Sequence, residues 1–159
     1  IKLHEKQNLS MGRLISHIGF AFLVLSIALN ANLSKEKSEN LKVGQSLIVS
    51  DYKLTFDGLI NKNEQNYNVT TGLFTLRDKN NKIQYLNPEI RIYNQPKVIT
   101  SEASISSNFF SDFYLTMSYI SDKKYFNVRF QHKPFMFWIW ISVILIATGG
   151  FFSVIFRKV

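Results

Sequence analysis

The chain has 159 residues, no cysteine and a formal net charge of +8 at pH 7. The lack of cysteine excludes disulfides, thiolate metal sites and a cysteine nucleophile. The charge does not predict nucleic-acid binding. Residues 32–134 carry 14 Lys or Arg against 10 Asp or Glu, so only half of the positive net charge lies in this segment. The remaining cations flank two apolar runs, where membrane topology explains them more simply. We therefore expect a membrane partner and no nucleic acid.

Residues 1–10 form a short polar leader, and the first residue is Ile1, so we expect a fragment or a processed product. The apolar run that follows, Leu14 to Ala31, contains 18 residues. As a helix it would be about 27 Å long, close to the thickness of a hydrocarbon core. A cleaved signal peptide is the competing interpretation, but the run is longer than a usual signal core. We predict a retained transmembrane helix at residues 11–31.

A second apolar run, residues 135–156, carries no charge and predicts another transmembrane helix. Trp138 and Trp140 near its start are typical of an interfacial aromatic belt. Cations lie outside both runs, at Arg13 before the first and at Arg157 and Lys158 in a tail of residues 157–159. This distribution predicts a cytoplasmic position for both outer ends and an extracytoplasmic position for residues 32–134.

The middle segment, residues 32–134, alternates between apolar and polar residues in the manner of β-strands. In its first strand Tyr52, Leu54 and Phe56 should share one face. The stretch 34–40 is predicted to be a solvated connector, and 108–118 is ambiguous between a helical turn and a strand. Further strands are predicted at 68–77, 82–86, 89–93, 98–105 and 125–131. About seven short antiparallel strands suggest a barrel or a sandwich. The predicted fold class is therefore membrane α+β, with two transmembrane helices flanking an extracytoplasmic β-rich domain.

His17 is the candidate functional residue, because an ionisable side chain within a membrane span is costly and usually faces protein or a functional pocket. One interpretation is a histidine that only hydrogen-bonds or packs between helices. The other is an axial haem ligand, a common role of a neutral imidazole. Ser16, Gly19 and Ala21 are small enough to allow a flat macrocycle or another helix to approach. A single histidine would need a second ligand from elsewhere.

Other arrangements that carry chemistry are weak in this sequence. His4 in the leader and His132 beside Lys133 are expected to be solvated surface residues. No histidine lies in the body of the β segment, so a Ser-His-Asp triad is unsupported. The carboxylates are scattered, and the sequence contains no phosphate-binding loop, dinucleotide fingerprint or Cys/His metal spacing.

An ordered set of short motifs nevertheless resembles one family. The set comprises R-L-x-x-H-x-G at residues 13–19, G-x-S at 44–46, Y-x-L-x-F at 52–56, P-E-x-R-x-Y at 88–93, T-x-E-A at 100–103, D-F-Y at 112–114 and K-P-F-x-x-W-I-W at 133–140. From about Met11 to Lys158 the chain resembles the C-terminal portion of the CcmF family, the haem lyase subunits of the c-type cytochrome maturation system. The ordered set carries the resemblance, since no single motif is specific.

This resemblance implies two transmembrane helices around a β-rich domain in a multi-pass protein of a bacterial or mitochondrial inner membrane. It implies that His17 matches one of two histidines that hold a transmembrane haem b, the other lying upstream. It also implies haem attachment to apocytochrome c, and as partners the upstream CcmF segments, the haem chaperone CcmE, CcmH and CcmI. At His132 the family more often has an aromatic residue, so no role is carried over to His132.

We therefore expect the C-terminal part of a haem lyase (holocytochrome c synthase) complex, inactive by itself, with His17 as one haem iron ligand. No catalytic residue is assigned. The alternative is a membrane-tethered extracytoplasmic β-domain adaptor without a cofactor, in which His17 only packs.

Overall fold

The computed structural model describes residues 2–120 and 124–155, with side chains from residue 11 onward. The chain divides into two compact units. A helical unit contains both helices and the turn Asn108–Ser111, and a β unit contains Lys35–Ser107 and Asp112–His132. The side chains of the leader, His4 among them, and the predicted tail 157–159 lie outside the described residues.

The helical unit consists of α1, Lys2–Leu33, and α2, Met136–Ile155. Helix α1 begins well before Met11, where the apolar sequence led us to expect its start. Its apolar part, Met11–Leu33, has a mean hydropathy of 2.0, and that of α2 is 2.1. Only 11% of each apolar window is buried, which is unlike the core helix of a soluble domain. Both helices are therefore long and apolar enough to span a membrane, as predicted.

The two helices pack antiparallel through glycine and serine residues. A Cβ atom added to Gly149 would meet the Ser16 side chain, and would lie 2.6 Å from the Ser16 nitrogen and 2.7 Å from the Gly12 oxygen. A Cβ atom on Gly19 would lie 3.0 Å from the backbone nitrogen of Ile146. These backbones are in such close contact that only small residues fit between them, as is usual where helices associate in lipid.

The β unit is built from ten strands among the described residues, arranged in two sheets. Seven pairs of neighbouring strands are antiparallel, among them β1 with β10, β3 with β4 and β8 with β9. One sheet has the order β1-β10-β9-β8, and the other has the order β2-β3-β4-β6-β7 with β5 also paired to β4. The strands are β1 Lys35–Leu41, β2 Ser46–Val49, β3 Tyr52–Asn63, β4 Tyr67–Arg77, β5 Ile83–Leu86, β6 Glu89–Tyr93, β7 Val98–Glu102, β8 Ser104–Ser107, β9 Ser111–Tyr119 and β10 Phe126–Pro134.

The two sheets share one hydrophobic core. The stacked rings of Phe56 and Phe74, with centroids 4.3 Å apart, come from the larger sheet, while Leu115, Val128 and Phe130 come from the smaller one. All five side chains are almost completely buried. Two separate sheets packed on a common core form a sandwich rather than a closed barrel, which decides between the two predicted architectures. The predicted alternation of Leu54 and Phe56 toward the core is confirmed by the same cluster of buried residues.

The predicted connector at residues 34–40 is wrong, because most of it forms the edge strand β1. Its side chains are exposed except at Glu39 and Leu41, so no apolar alternation marks it as a strand. Pairing with β10 holds it instead, with the Arg129 guanidinium donating to Glu36 at 2.6 Å. Charged side chains on an edge strand discourage pairing with other chains. A charged composition is therefore compatible with an edge strand, although it resembles that of a solvated connector.

Two other stretches also differ from the prediction in detail. The ambiguous segment 108–118 is a turn followed by β9, and the run 98–105 divides into β7 and β8, which belong to different sheets. The sheet to which each of these strands belongs is decided by its partner strands, which the local sequence pattern does not reveal. The G-x-S motif leads into a strand, since Gly44 has a φ of 88° and β2 begins at Ser46.

His132 is not the solvated residue that the sequence suggested. Its ring stacks on Phe113 at a centroid distance of 5.1 Å and lies 5.0 Å from the Tyr52 ring. Burial lowers the pKa of the His132 imidazole below its ordinary value, because the charged form is desolvated. The half-buried ring therefore fills the place of an aromatic side chain.

The glycine contacts lead to a test with a matched control. Gly149→Ala should lower the free energy of unfolding by about 1–3 kcal/mol, because its methyl group meets backbone atoms of α1. Gly150→Ala has nothing within 4 Å of the new methyl group, and should be neutral or slightly stabilising, by at most about 1 kcal/mol. Unfolding by SDS titration measures both variants. If both variants changed the free energy of unfolding by the same amount, the close contact between the helices would be contradicted.

The packing of His132 leads to a pH-dependent prediction. Since the folded pKa lies below the unfolded value of about 6.5, the unfolded chain binds the proton at a higher pH than the folded chain does. The contribution of His132 to stability should be fully present above that value and be lost as the pH falls through the folded pKa. His132→Phe should preserve the packing and reduce the loss of stability on acidification. The free energy of unfolding of both proteins is measured by chemical denaturation at pH 7.5 and at pH 5.5. If the variant loses as much stability between these pH values as the original protein does, the titration of His132 is not the cause.

Candidate functional site

His17 lies on the face of α1 that points away from α2. Its neighbour Ser16 donates a hydrogen bond to the Ile146 carbonyl of α2 at 3.3 Å, and Gly19 is buried against the same helix. One residue along a helix corresponds to a rotation of about 100°, so the His17 side chain is turned out of this contact. His17 is accordingly exposed. Within the described residues, α2 leaves the imidazole uncovered.

One hydrogen bond fixes the orientation of the imidazole. The Nδ1 atom lies 2.7 Å from the carbonyl oxygen of Arg13, one helical turn earlier. A carbonyl oxygen can only accept, so Nδ1 carries the proton and donates it. In the neutral form of the ring the lone pair is then on Nε2, which is the atom able to coordinate a metal. Metal-binding histidines commonly use this arrangement, because a hydrogen bond at one ring nitrogen orients the other.

The donor set fits a haem better than a bare metal ion. Among the described residues, no group of three or more His, Asp or Glu side chains could hold a metal ion. A porphyrin supplies four nitrogen ligands itself and requires only axial ligands from protein, which a single exposed imidazole can provide. The imidazole of His17 therefore fits a single axial position of such a group, and a second axial ligand would have to come from another residue.

Two of the small residues around His17 admit a helix, which is one of the two predicted roles. Ser16 and Gly19 were expected to make room for a macrocycle or another helix, and they contact α2. Ala21 is exposed and follows His17 by one turn, so it lies on the same outer face. The sequence could not separate these two faces, because small residues occur on both.

A second polar cluster forms where two of the family motifs meet. Strands β6 and β7 place Glu89 directly opposite Glu102 and Arg91 opposite Thr100. The Arg91 guanidinium donates to Glu89 at 2.8 Å and lies over the Tyr67 ring at 5.4 Å. Hydrogen bonds to Glu89 raise the pKa of Arg91 further above its ordinary value, so the cation is permanent. The alternation in residues 89–93 predicted a shared face for Glu89 and Arg91, but only strand register brings in Glu102.

The remaining carboxylates do not form a catalytic pair in the contacts of the described chain. Five of them bind cations or hydroxyl groups instead. The pairs are Glu36 with Arg129, Glu39 with Lys37, Asp51 with Lys79, Asp57 with Thr75 and Asp112 with Tyr114. Asp122 lies outside the described residues. These contacts give no support to general acid–base chemistry in the β unit.

Comparison with known proteins places this chain in a family. The family model described as the CcmF C-terminal beta-sandwich matches residues 32–134. The cytochrome c-type biogenesis protein CcmF of Haemophilus influenzae is 28% identical over 147 residues, which are 92% of this chain and 23% of that protein. The CcmF protein of Escherichia coli K12 is 29% identical over 141 residues, which are 87% of this chain and 22% of that protein.

A solved structure, that of the cytochrome c heme lyase CcmF, has the same fold. It matches with a TM-score of 0.74 at 18% identity, over 94% of this chain and 25% of the other. The chain thus spans about a quarter of the length of the relatives that it matches. The resemblance drawn from the ordered motifs is confirmed. The chain belongs to the CcmF family, and residues 32–134 are the C-terminal β-sandwich of that family.

Proposed function

We propose that this chain is the C-terminal part of a CcmF-type haem lyase, in which His17 supplies one axial ligand to a transmembrane haem b. The observation that carries the proposal is the exposed imidazole with its proton held on Nδ1 by the Arg13 carbonyl. This bond leaves Nε2 as the ring nitrogen available to bind iron. The second ligand would come from a part of the protein outside this chain.

The protein residues would have separate tasks at this site. Nε2 of His17 would bind the iron, and the Arg13 carbonyl would hold the ring in its plane and tautomer. Gly12, Gly19 and Gly149 would bring α2 against the other side of α1 and leave the outer face of α1 available. A bound haem would supply a one-electron redox centre within the membrane.

The membrane placement is supported by the composition of the helices. Two helices with mean hydropathies of 2.0 and 2.1 suit a lipid environment. Arg13 marks the cytoplasmic end of the first span under the positive-inside rule. In the antiparallel pair, Asn30 of α1 donates to the Pro134 carbonyl before α2 at 2.6 Å, so these residues would mark the opposite end. The β-sandwich would then face the periplasm of a bacterium or the intermembrane space of a mitochondrion.

The β-sandwich would help to dock partners during attachment of haem to apocytochrome c. Those expected from the family are the haem chaperone CcmE, CcmH, CcmI, apocytochrome c and the upstream CcmF segments. The cluster around Arg91 is a polar feature of the sandwich built from family motifs, and it is a reasonable first surface to test.

The alternative, a cofactor-free adaptor, is less well supported. It requires His17 to act only in packing, whereas the imidazole is exposed and α2 contacts its neighbours Ser16 and Gly19 instead.

The haem role is tested in the complete protein. His17→Ala should remove or strongly weaken the bis-histidine absorption spectrum of the purified protein, because one axial ligand is lost. His132→Phe removes a histidine of the β unit and should leave that spectrum intact, which controls for loss of a histidine as such. An unchanged spectrum in the His17 variant would disprove the ligand role.

The orientation is tested with single cysteines in an otherwise cysteine-free complete protein. Asn80→Cys, in an exposed turn of the β unit, should react with a membrane-impermeant maleimide added to spheroplasts. Gln7→Cys, on the Arg13 side of the first apolar segment, should react only after the membrane is opened. The reverse pattern would invert the proposed topology.

A further inference from the structure

The turn between β8 and β9 exposes two phenylalanine side chains within the helical unit. Residues Asn108–Ser111 belong to this unit, although the flanking strands do not. Phe109 is 64% exposed and Phe110 is 66% exposed. Adjacent exposed phenylalanines at the tip of a β-hairpin are unfavourable in water, which suggests that something apolar covers them.

This turn is attached to the start of α2. The Phe109 ring lies 4.8 Å from the Phe137 ring in an edge-to-face arrangement. The backbone nitrogen of Phe135 donates to the Phe110 carbonyl at 2.8 Å. The phenylalanines of the turn are therefore level with the first residues of the apolar helix.

The turn also has a fixed shape. The Asn108 side-chain oxygen accepts hydrogen bonds from the backbone nitrogens of Phe110 at 3.0 Å and Ser111 at 2.9 Å. The backbone nitrogen of Asn108 donates to the Ser111 carbonyl at 3.0 Å. An asparagine that satisfies its own turn in this way holds the two aromatic side chains outward.

Other exposed aromatic side chains lie at the same end of α2. Trp140 is 65% exposed and Phe137 is 37% exposed. Aromatic residues at the end of an apolar helix, beside short polar residues such as Asn108 and Ser111, are typical of the boundary between headgroups and acyl chains. The turn contributes two more rings to that boundary.

We propose that the turn Asn108–Ser111 inserts Phe109 and Phe110 into the lipid interface beside the start of α2. The occupant of this surface is the bilayer leaflet on the side of the β-sandwich, and the polar side chains of Asn108 and Ser111 stay among the headgroups. The chain thereby contacts the membrane at a third point between its two spans. This inference rests on the proposed membrane placement of α2.

The test uses the complete protein in nanodiscs with single cysteines labelled by the polarity-sensitive dye NBD. A probe at Phe110→Cys should have blue-shifted emission, and nitroxide lipids should quench it severalfold more than aqueous iodide does. Denaturant without detergent should abolish the blue shift. Ile105→Cys, on the adjacent strand β8 and 56% exposed in the structure, is the matched control. A probe at this position should be quenched more by aqueous iodide than by nitroxide lipids.

The outcomes separate this inference from the proposed membrane placement. Ile144→Cys, 57% exposed in the middle of α2, reports the span itself and should be quenched by nitroxide lipids. If Ile144 responds to lipid and Phe110 responds to iodide, the turn lies in water and the inference is wrong. If Phe110 is shielded from both quenchers, a protein segment covers it, which also overturns the inference. If Ile144 itself responds to iodide, the membrane placement of α2 fails first.

Discussion

The close contact between the two helix backbones is the constraint on which the helical unit depends. Gly12, Gly19 and Gly149 remove side-chain volume from the contact, so that backbone atoms of α1 and α2 approach each other directly. Such a contact defines a single rotation of each helix, because a turn of either helix would bring a large side chain into the gap. The outer face of α1, where His17 lies, follows from this rotation.

The β unit uses a different physical solution. Its two sheets share an inner layer of phenylalanine, leucine and valine side chains. Burial of this layer supplies the main driving force for its folding. The edge strand β1 has almost no apolar side chain and depends on backbone pairing and on ion pairs such as Arg129 with Glu36. His132 joins the aromatic layer near the end of β10, where burial disfavours its protonation.

The chain belongs to the CcmF family, and the matched relatives are named as cytochrome c-type biogenesis proteins. The chain covers about a quarter of those proteins, so its share in their activity has to be argued from its own residues. The proposed cofactor role of His17 rests on its exposed imidazole and on the hydrogen bond between Nδ1 and the Arg13 carbonyl. The proposed membrane contact of the turn at Phe109 and Phe110 is independent of that site.

The sequence by itself determined the two apolar helices, most of the strands and the family. Helix length and hydropathy, the alternation around Leu54 and Phe56, and ordered motifs are local properties that survive without knowledge of partners. The sequence also singled out His17, because an ionisable residue in an apolar run is conspicuous. It failed for β1 and His132, whose environments depend on strands far away in the chain.

Only the tertiary structure decided that the two sheets form a sandwich. It also decided that Ser16 and Gly19 face α2 while His17 does not, and that the Phe109 ring contacts the Phe137 ring. The reason is that register and helix rotation are set by packing between distant segments, which composition and periodicity do not encode.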